Sequence, residues 1–250
     1  MNRKPAFSKE YYPDSFSDLD KTIKASFLLG KGAGSYPGSR TSQEIVGCIV
    51  PHDYYGLSAS CMSWVYKALG EAKPCKTFVI LGSDHHKKAQ QFSINLFSDW
   101  ETPFGIFKIN KELGKQLLQQ FPHLVNEFEP YNQEHSLEVQ LPFLQFVNMD
   151  YLPELSFVPI MINSLDYTQL TLFAKVLASL DTCIIVSTHF THYGKEFNFV
   201  PFIFSKKENI QELDAKALEA IKNLDSLGLL ALSKNTNICN IPGLVVLIEY

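Results

Sequence analysis

The sequence predicts an α/β fold with a central, mostly parallel sheet flanked by helices. Three observations carry this. Four short apolar runs rich in β-branched residues lack the alternation of a half-exposed strand, so they read as strands covered on both faces. Helical patterns lie between them, and alternating strands and helices build parallel layers. Five of the seven histidines fall just after such runs, at the strand ends where open α/β sheets bind ligands.

In chain order, the opening "MNRKPAFSKEYYP" has no apolar signal core. Leu29–Ser39, "LGKGAGSYPGS", fits neither G-x-G-x-x-G nor the phosphate-loop lysine pattern, and no strand precedes it; it reads as a mobile loop. Glu44–Val50 is the first predicted strand and Ala59–Leu69 the first helix. Thr77–Leu81 is the second strand, followed by an extended region around Phe92–Asn110 and a helix over Lys111–Phe121. "EHSLEVQLPFLQF", from Glu134, reads as a helix start with Glu134 and Glu138 on one face and Pro142 as a break or kink. Leu155–Ile162 and Thr182–Val186 are the remaining strands, separated by a helix over Tyr167–Leu180. In Glu208–Leu224, the residues Ile210, Leu213, Ala217, Ile221 and Leu224 recur three or four apart and give one core-facing stripe.

The 250 residues, 46% hydrophobic and 19% charged, suit one globular domain spanning residues 1–250. A net charge of −4 gives no reason to expect nucleic acid, and Lys206-Lys207 reads as solvated surface. No apolar run approaches the ~20 residues of a membrane span, so no membrane partner is expected. Cys48, Cys61, Cys75, Cys183 and Cys239 form an odd set without C-x-x-C spacing, which predicts free thiols in a reducing cytoplasm.

His52 follows the first strand in "IVPHDYYG", His85 and His86 follow the second in "ILGSDHH", and His189 and His192 follow the fourth in "IIVSTHFTH". A lone histidine at a strand end reads as a hydrogen-bonded structural residue. Three clusters at three strand ends converge on one crevice if the strands are parallel neighbours. Imidazoles with an anionic ligand and open positions suit catalytic iron or copper. Successive side chains alternate along an extended backbone, so only one of His85 and His86 points inward. His189 and His192 share a face if the chain turns helical there. For Glu134, a capping role and a site role both remain open.

These residues resemble a known family. "VPHDYYGLSAS", "ILGSDHH", "ETPFG" (Glu101–Gly105), "NQEHSLEVQLPFLQ" and "STHFTHYG" together resemble the MEMO family, also called AmmeMemoRadiSam system protein B. "KPAFSKEYYPDSFSDLDKTI", "LDAKALEAIKNLD" and "NICNIPGLVVL" extend the likeness over nearly the whole chain. The resemblance implies a fold similar to class III extradiol dioxygenases, whose non-haem iron lies at the strand ends. It implies His52, His85 and Cys239 as metal-ligand positions. It places His192 at the dioxygenases' acid/base histidine, with His135 in the same pocket. Where the family reads Ser-Asp-Phe-x-His, this chain runs Ser187-Thr188-His189-Phe190-Thr191-His192, so His189 replaces an aspartate and becomes a further candidate ligand. Asn240 stands where the family's cysteine is followed by Gly. Gly82-Ser83-Asp84-His85-His86 stands for its Pro-Ser-His-His. The chain stops at Tyr250 in "LVVLIEY", where the family continues through a helix and a closing strand; either the ending differs or the sheet lacks coverage that a partner completes, and, left exposed, that run is an association patch for a homo-oligomer.

Two readings follow. In the first, a metal-dependent redox enzyme holds Fe(II) or Cu, with Zn a further option, on His52, His85 and Cys239, with His189 as an extra imidazole. His192 and His135 then move protons for a small-molecule substrate. Thiolate ligation favours softer ions such as Cu(I) or Zn over Fe(II). In the second, the same crevice binds a peptide or phosphopeptide as a non-catalytic scaffold, in keeping with the link of animal MEMO proteins to receptor phosphotyrosine segments. Few basic residues lie near the motifs, which weighs against phosphate capture. A serine hydrolase comes third: no G-x-S-x-G exists, Ser58 and Ser60 are wrongly spaced, and Ser136 beside His135 is mere adjacency.

Overall fold

A computed structural model describes residues 2–250. In chain order the elements are α1 (Phe16–Leu28), β1 (Gly47–Val50), α2 (Tyr55–Glu71), β2 (Thr77–Gly82), β3 (Phe92–Ile94), β4 (Trp100–Thr102) and β5 (Gly105–Ile109). Then come α3 (Lys111–Gln120), β6 (Leu124–Asn126), α4 (Leu141–Val147), β7 (Ser156–Ile162), α5 (Tyr167–Ala178), β8 (Cys183–Ser187), α6 (Lys206–Lys222), α7 (Ser226–Leu232) and α8 (Ile241–Glu249).

The eight strands form one sheet in the order β1-β8-β2-β7-β3-β6, with β5 beside β7 and β4 beside β5. β1, β8, β2 and β7 run parallel. β3 pairs antiparallel with β7, so the sheet is mixed at that side. Every residue of β2 and β8 is buried, which explains the unbroken apolar runs: strands covered on both faces need no polar side. One helical group, α1, α2 and α4, packs together through α2 on β1; α5, α7 and α8 form another, with α8 against β8. Local chemistry sets several helix starts. Ser15, Asn110, Asp166 and Asp225 each accept a backbone N–H from the first turn of α1, α3, α5 and α7.

Two expectations need correction. "EHSLEVQLPFLQF" is not one helix: a 3₁₀ turn over Glu138–Gln140 leads into α4, and Pro142 lies in the first turn of α4, where its missing N–H costs nothing. Glu134 caps no helix. The terminal run "LVVLIEY" is no exposed association patch, because it forms most of α8. Leu244, Val245 and Val246 are fully buried there, and Tyr250 Oη donates to Thr182 O at 2.9 Å. A helix with little polar surface is accommodated between β8, α5 and α7. No helix among the described residues is long and apolar enough to cross a membrane.

Candidate metal centre

The register of the parallel strands fixes the site. Val50 pairs with Ser187 and Leu81 with Val186, so β1, β8 and β2 end together. The segments leaving these ends carry His52, His85 and His189 into one crevice. Ring centroids lie 5.1 Å apart for His52–His85, 5.2 Å for His52–His135 and 4.1 Å for His52–His189. His192 joins through His189, with centroids 5.3 Å apart. His86 points to solvent, and exposed His123 follows α3, beside Phe121.

Cys239 reaches the same crevice from the segment before α8. Its Sγ is 3.7 Å from His52 Nε2, and one ligand atom each from His52, His85 and Cys239 lie within 4.8 Å of one another. Metal bonds of about 2.0–2.3 Å place tetrahedral N and S donors roughly 3.3–3.8 Å apart. The 3.7 Å between Cys239 Sγ and His52 Nε2 falls in that range.

Hydrogen bonds fix which imidazole nitrogens are open. Ser187 Oγ donates to Ser136 O at 2.7 Å, so it accepts at 3.0 Å from His52 Nδ1–H; the lone pair of His52 is therefore on Nε2. His85 Nδ1–H donates to the buried Glu134 carboxylate at 3.0 Å, which turns His85 Nε2 toward the crevice. Metal-binding histidines generally need such a partner on the second nitrogen. Cys239 Sγ accepts the His189 N–H at 3.0 Å and lies 3.5 Å from Thr188 Oγ1.

The "EHSLEVQ" segment builds the wall behind these groups. Glu134 holds His85 through both its ring and its backbone N–H. Ser136 Oγ accepts the Ser83 N–H at 3.0 Å. A Cβ on Gly82 would stand 2.6 Å from Leu137 Cγ, so only glycine lets the segment close onto the end of β2. Glu138 takes the opposite direction: it accepts from the Ala6 and Phe7 N–H groups, Tyr12 Oη–H and the Arg3 guanidinium, pinning the N-terminal segment across the crevice. Gln140 donates to Ser187 Oγ and Pro51 O. The N-terminal segment in turn supplies Tyr11, which stacks on His135 at 4.4 Å.

Glu134 also lies near His135, and His85, Glu134 and His135 form a second close group. The two imidazoles are near-parallel, 19° apart at 4.7 Å, and a lone pair lies in its ring plane. Stacked rings do not aim both lone pairs at one ion, so this group is a hydrogen-bonded stack.

His189 and His192 are committed elsewhere. His192 Nδ1–H donates to Asn237 O at 3.2 Å, His189 Nδ1–H donates to His192 Nε2 at 3.3 Å, and His189 Nε2 accepts the His52 N–H at 3.1 Å. His189 belongs to neither close group.

Burial disfavours charge throughout the crevice. It pushes His52 well below its ordinary range, and it holds His135 and His189 at about 4. His85 is the exception: burial opposes its charge, but contacts with Cys239 and Glu134 raise it to about 10. Burial pushes the Cys239 thiol up, yet His85, Ser83, Thr188 and the His189 N–H together hold it below its ordinary value. Glu134, pushed up by burial, is brought down to about 2 by His85 and His135. Without a metal, the Cys239 thiol and the His85 imidazole each favour the other's charged form.

Asn240 was read from sequence only as a departure from pattern. Its side chain donates to Leu81 O and Ser187 O and accepts the Gly243 N–H, joining the ends of β2 and β8 to the start of α8. Its place just before Pro242 was the available signal, since Asn is a preferred helix cap. Ser187 and Gln140 were also missed; neither has a sequence signal beyond proximity to the motifs.

A central, mostly parallel α/β sheet flanked by helices, with imidazoles and a thiol gathered at its strand ends, is consistent with a Memo-like fold. The chain belongs to the Memo-like family, whose model, described as "Memo-like protein", matches residues 3–250. It is similar to a MEMO1 family protein of Methanopyrus kandleri, 28% identical over 95% of this chain and 82% of that one. A MEMO1 family protein of Methanobrevibacter smithii is 29% identical over 92% of this chain and 79% of its own length. One of Thermoplasma volcanium is 31% identical over 78% and 69%.

Proposed function

We propose that this protein binds one transition metal ion through His52 Nε2, His85 Nε2 and Cys239 Sγ and uses it in a redox reaction on a small molecule. The single observation that supports this most is the close approach of those three donors, within 4.8 Å. The orienting bonds from Ser187 to His52 and from Glu134 to His85 add to it. Two imidazoles and a thiolate form a softer set than two histidines and a carboxylate, which favours copper first, with zinc and iron following. When bound, copper or iron supplies one-electron chemistry at the crevice.

The surrounding side chains do the rest. Buried Glu134 balances the charge and keeps His85 in place. Tyr11 and Phe7 cover His135 and limit water at the crevice mouth. His135, neutral near pH 7 and with no hydrogen bond to its Nε2 among the described residues, is the base assigned to proton transfer. His192 lines the same crevice, but both its nitrogens are engaged. Five unpaired cysteines, one of them a proposed ligand, suit a reducing cytoplasm. We take residues 1–250 as one domain.

The test is metal content after purification without added metal, followed by anaerobic Cu(I) titration of the wild type and Cys239→Ser. Tight binding of one equivalent, weakened in the variant, supports the proposal; equal binding by both overturns it.

A second reading, peptide binding at the same crevice, draws on exposed Phe197, Val200, Ile203 and Phe204 in the segment after His192. Phe197 packs 5.0 Å from the His192 ring. A peptide docked on that rim survives His52→Ala, whereas metal-dependent activity does not.

A further inference from the structure

His189 stands at the junction of two ligand-bearing segments. Its backbone N–H donates to Cys239 Sγ at 3.0 Å, and its carbonyl accepts the Cys239 N–H at 3.4 Å. Its ring holds the other side, accepting the His52 N–H at 3.1 Å. The direction of this network is fixed from its far end. Asn237 O can only accept, so His192 Nδ1 carries the proton and His192 Nε2 accepts from His189 Nδ1–H. Asn237 holds His192 twice more, accepting its N–H at Oδ1 and donating from Nδ2 to its carbonyl. The result is a strut from the end of β1, through the end of β8, to the segment carrying Cys239.

We propose that His189 is a positioning residue and not a metal ligand: it sets the spacing between His52 and Cys239 and leaves the ion with three protein donors. This rests on the metal reading above. Both His189 nitrogens are spent in the strut. Turning Nε2 onto an ion would strip the backbone N–H of the fully buried His52 of its partner. The ring also lies 4.1 Å from His52 at 34°, a tilted stack that does not direct both in-plane lone pairs to one point.

The test pairs His189→Ala with His189→Gln, whose amide can still accept from His52 N–H and donate toward His192. Each variant is loaded with Cu(I); affinity is read by chelator competition and the inner shell by X-ray absorption. His189→Ala should bind roughly 10–100-fold more weakly with an unchanged shell of two nitrogens and one sulfur, and His189→Gln should recover most of the loss. Loss of a nitrogen neighbour in either variant, or unchanged affinity in His189→Ala, overturns the inference while leaving the metal reading intact. A wild type that takes up no metal overturns both. If His189→Ala does not fold, the shell and affinity of His189→Gln decide.

Discussion

His85 Nδ1 lies 3.0 Å from Glu134 Oε1, and that carboxylate is 1% exposed. A buried carboxylate whose nearest charged partner is one imidazole fixes both the orientation and the protonation of that ring. Glu134→Gln keeps the volume but removes the charge. It is expected to weaken metal binding about 10–100-fold, measured by competition with a chelator of known affinity. Retained affinity would show that His85 needs no anchor.

The N-terminal segment is held by one buried acid. Arg3 and Glu138 form an ion pair with side chains 4% and 0% exposed. Removing one partner of such a pair strands the other charge, at a typical cost of about 3–5 kcal/mol. Arg3→Met should lower unfolding stability by that amount in urea titration. A change below about 1 kcal/mol, the range of exposed pairs, contradicts this account of the segment.

Gly82 tests the closure of the wall on the sheet. Its added Cβ would meet Leu137 and Ser136, both fully buried and with little room to move. Gly82→Ala is expected to cost about 1–3 kcal/mol by overpacking. It should also weaken metal binding, because Ser136 accepts from Ser83, two residues before His85.

Stability of the metal-free protein should peak near neutral pH. His135 and His189 have folded values of about 4, below the ordinary 6.5, so their contribution is present above 6.5 and fades as pH falls toward 4. His85 has the opposite sign: raised to about 10, its contribution is present below 6.5 and fades as pH rises toward 10. Thermal unfolding from pH 4 to 10 should therefore show both limbs in chelated protein. Metal loading should flatten the alkaline limb, since an ion on Nε2 replaces the proton of His85. A flat profile in chelated protein would count against the charge assignments.

Much of this was legible in the sequence. β2 and β8 were readable because full burial leaves an apolar run with no polar interruptions. Convergence of His52, His85 and His189 followed once β1, β8 and β2 were parallel neighbours, which the register bears out. What stayed hidden depends on contacts between distant segments. Glu134 stayed open between a helix cap and a site role because its partner, His85, lies 49 residues away. Whether the terminal run is covered or exposed stayed open, because nothing in "LVVLIEY" shows that β8, α5 and α7 cover it. The ring nitrogens of His189 were spent on a backbone N–H and on His192, neither of which a residue pattern displays.

The most direct measurement is X-ray absorption on wild-type protein loaded with one equivalent of Cu(I), repeated on His52→Ala, His85→Ala and Cys239→Ser. The account predicts an inner shell of two nitrogens and one sulfur. Each histidine variant should lose a nitrogen, and the cysteine variant should lose the sulfur. A wild-type ion with no sulfur neighbour, or a shell untouched by all three substitutions, places the metal elsewhere and contradicts the account.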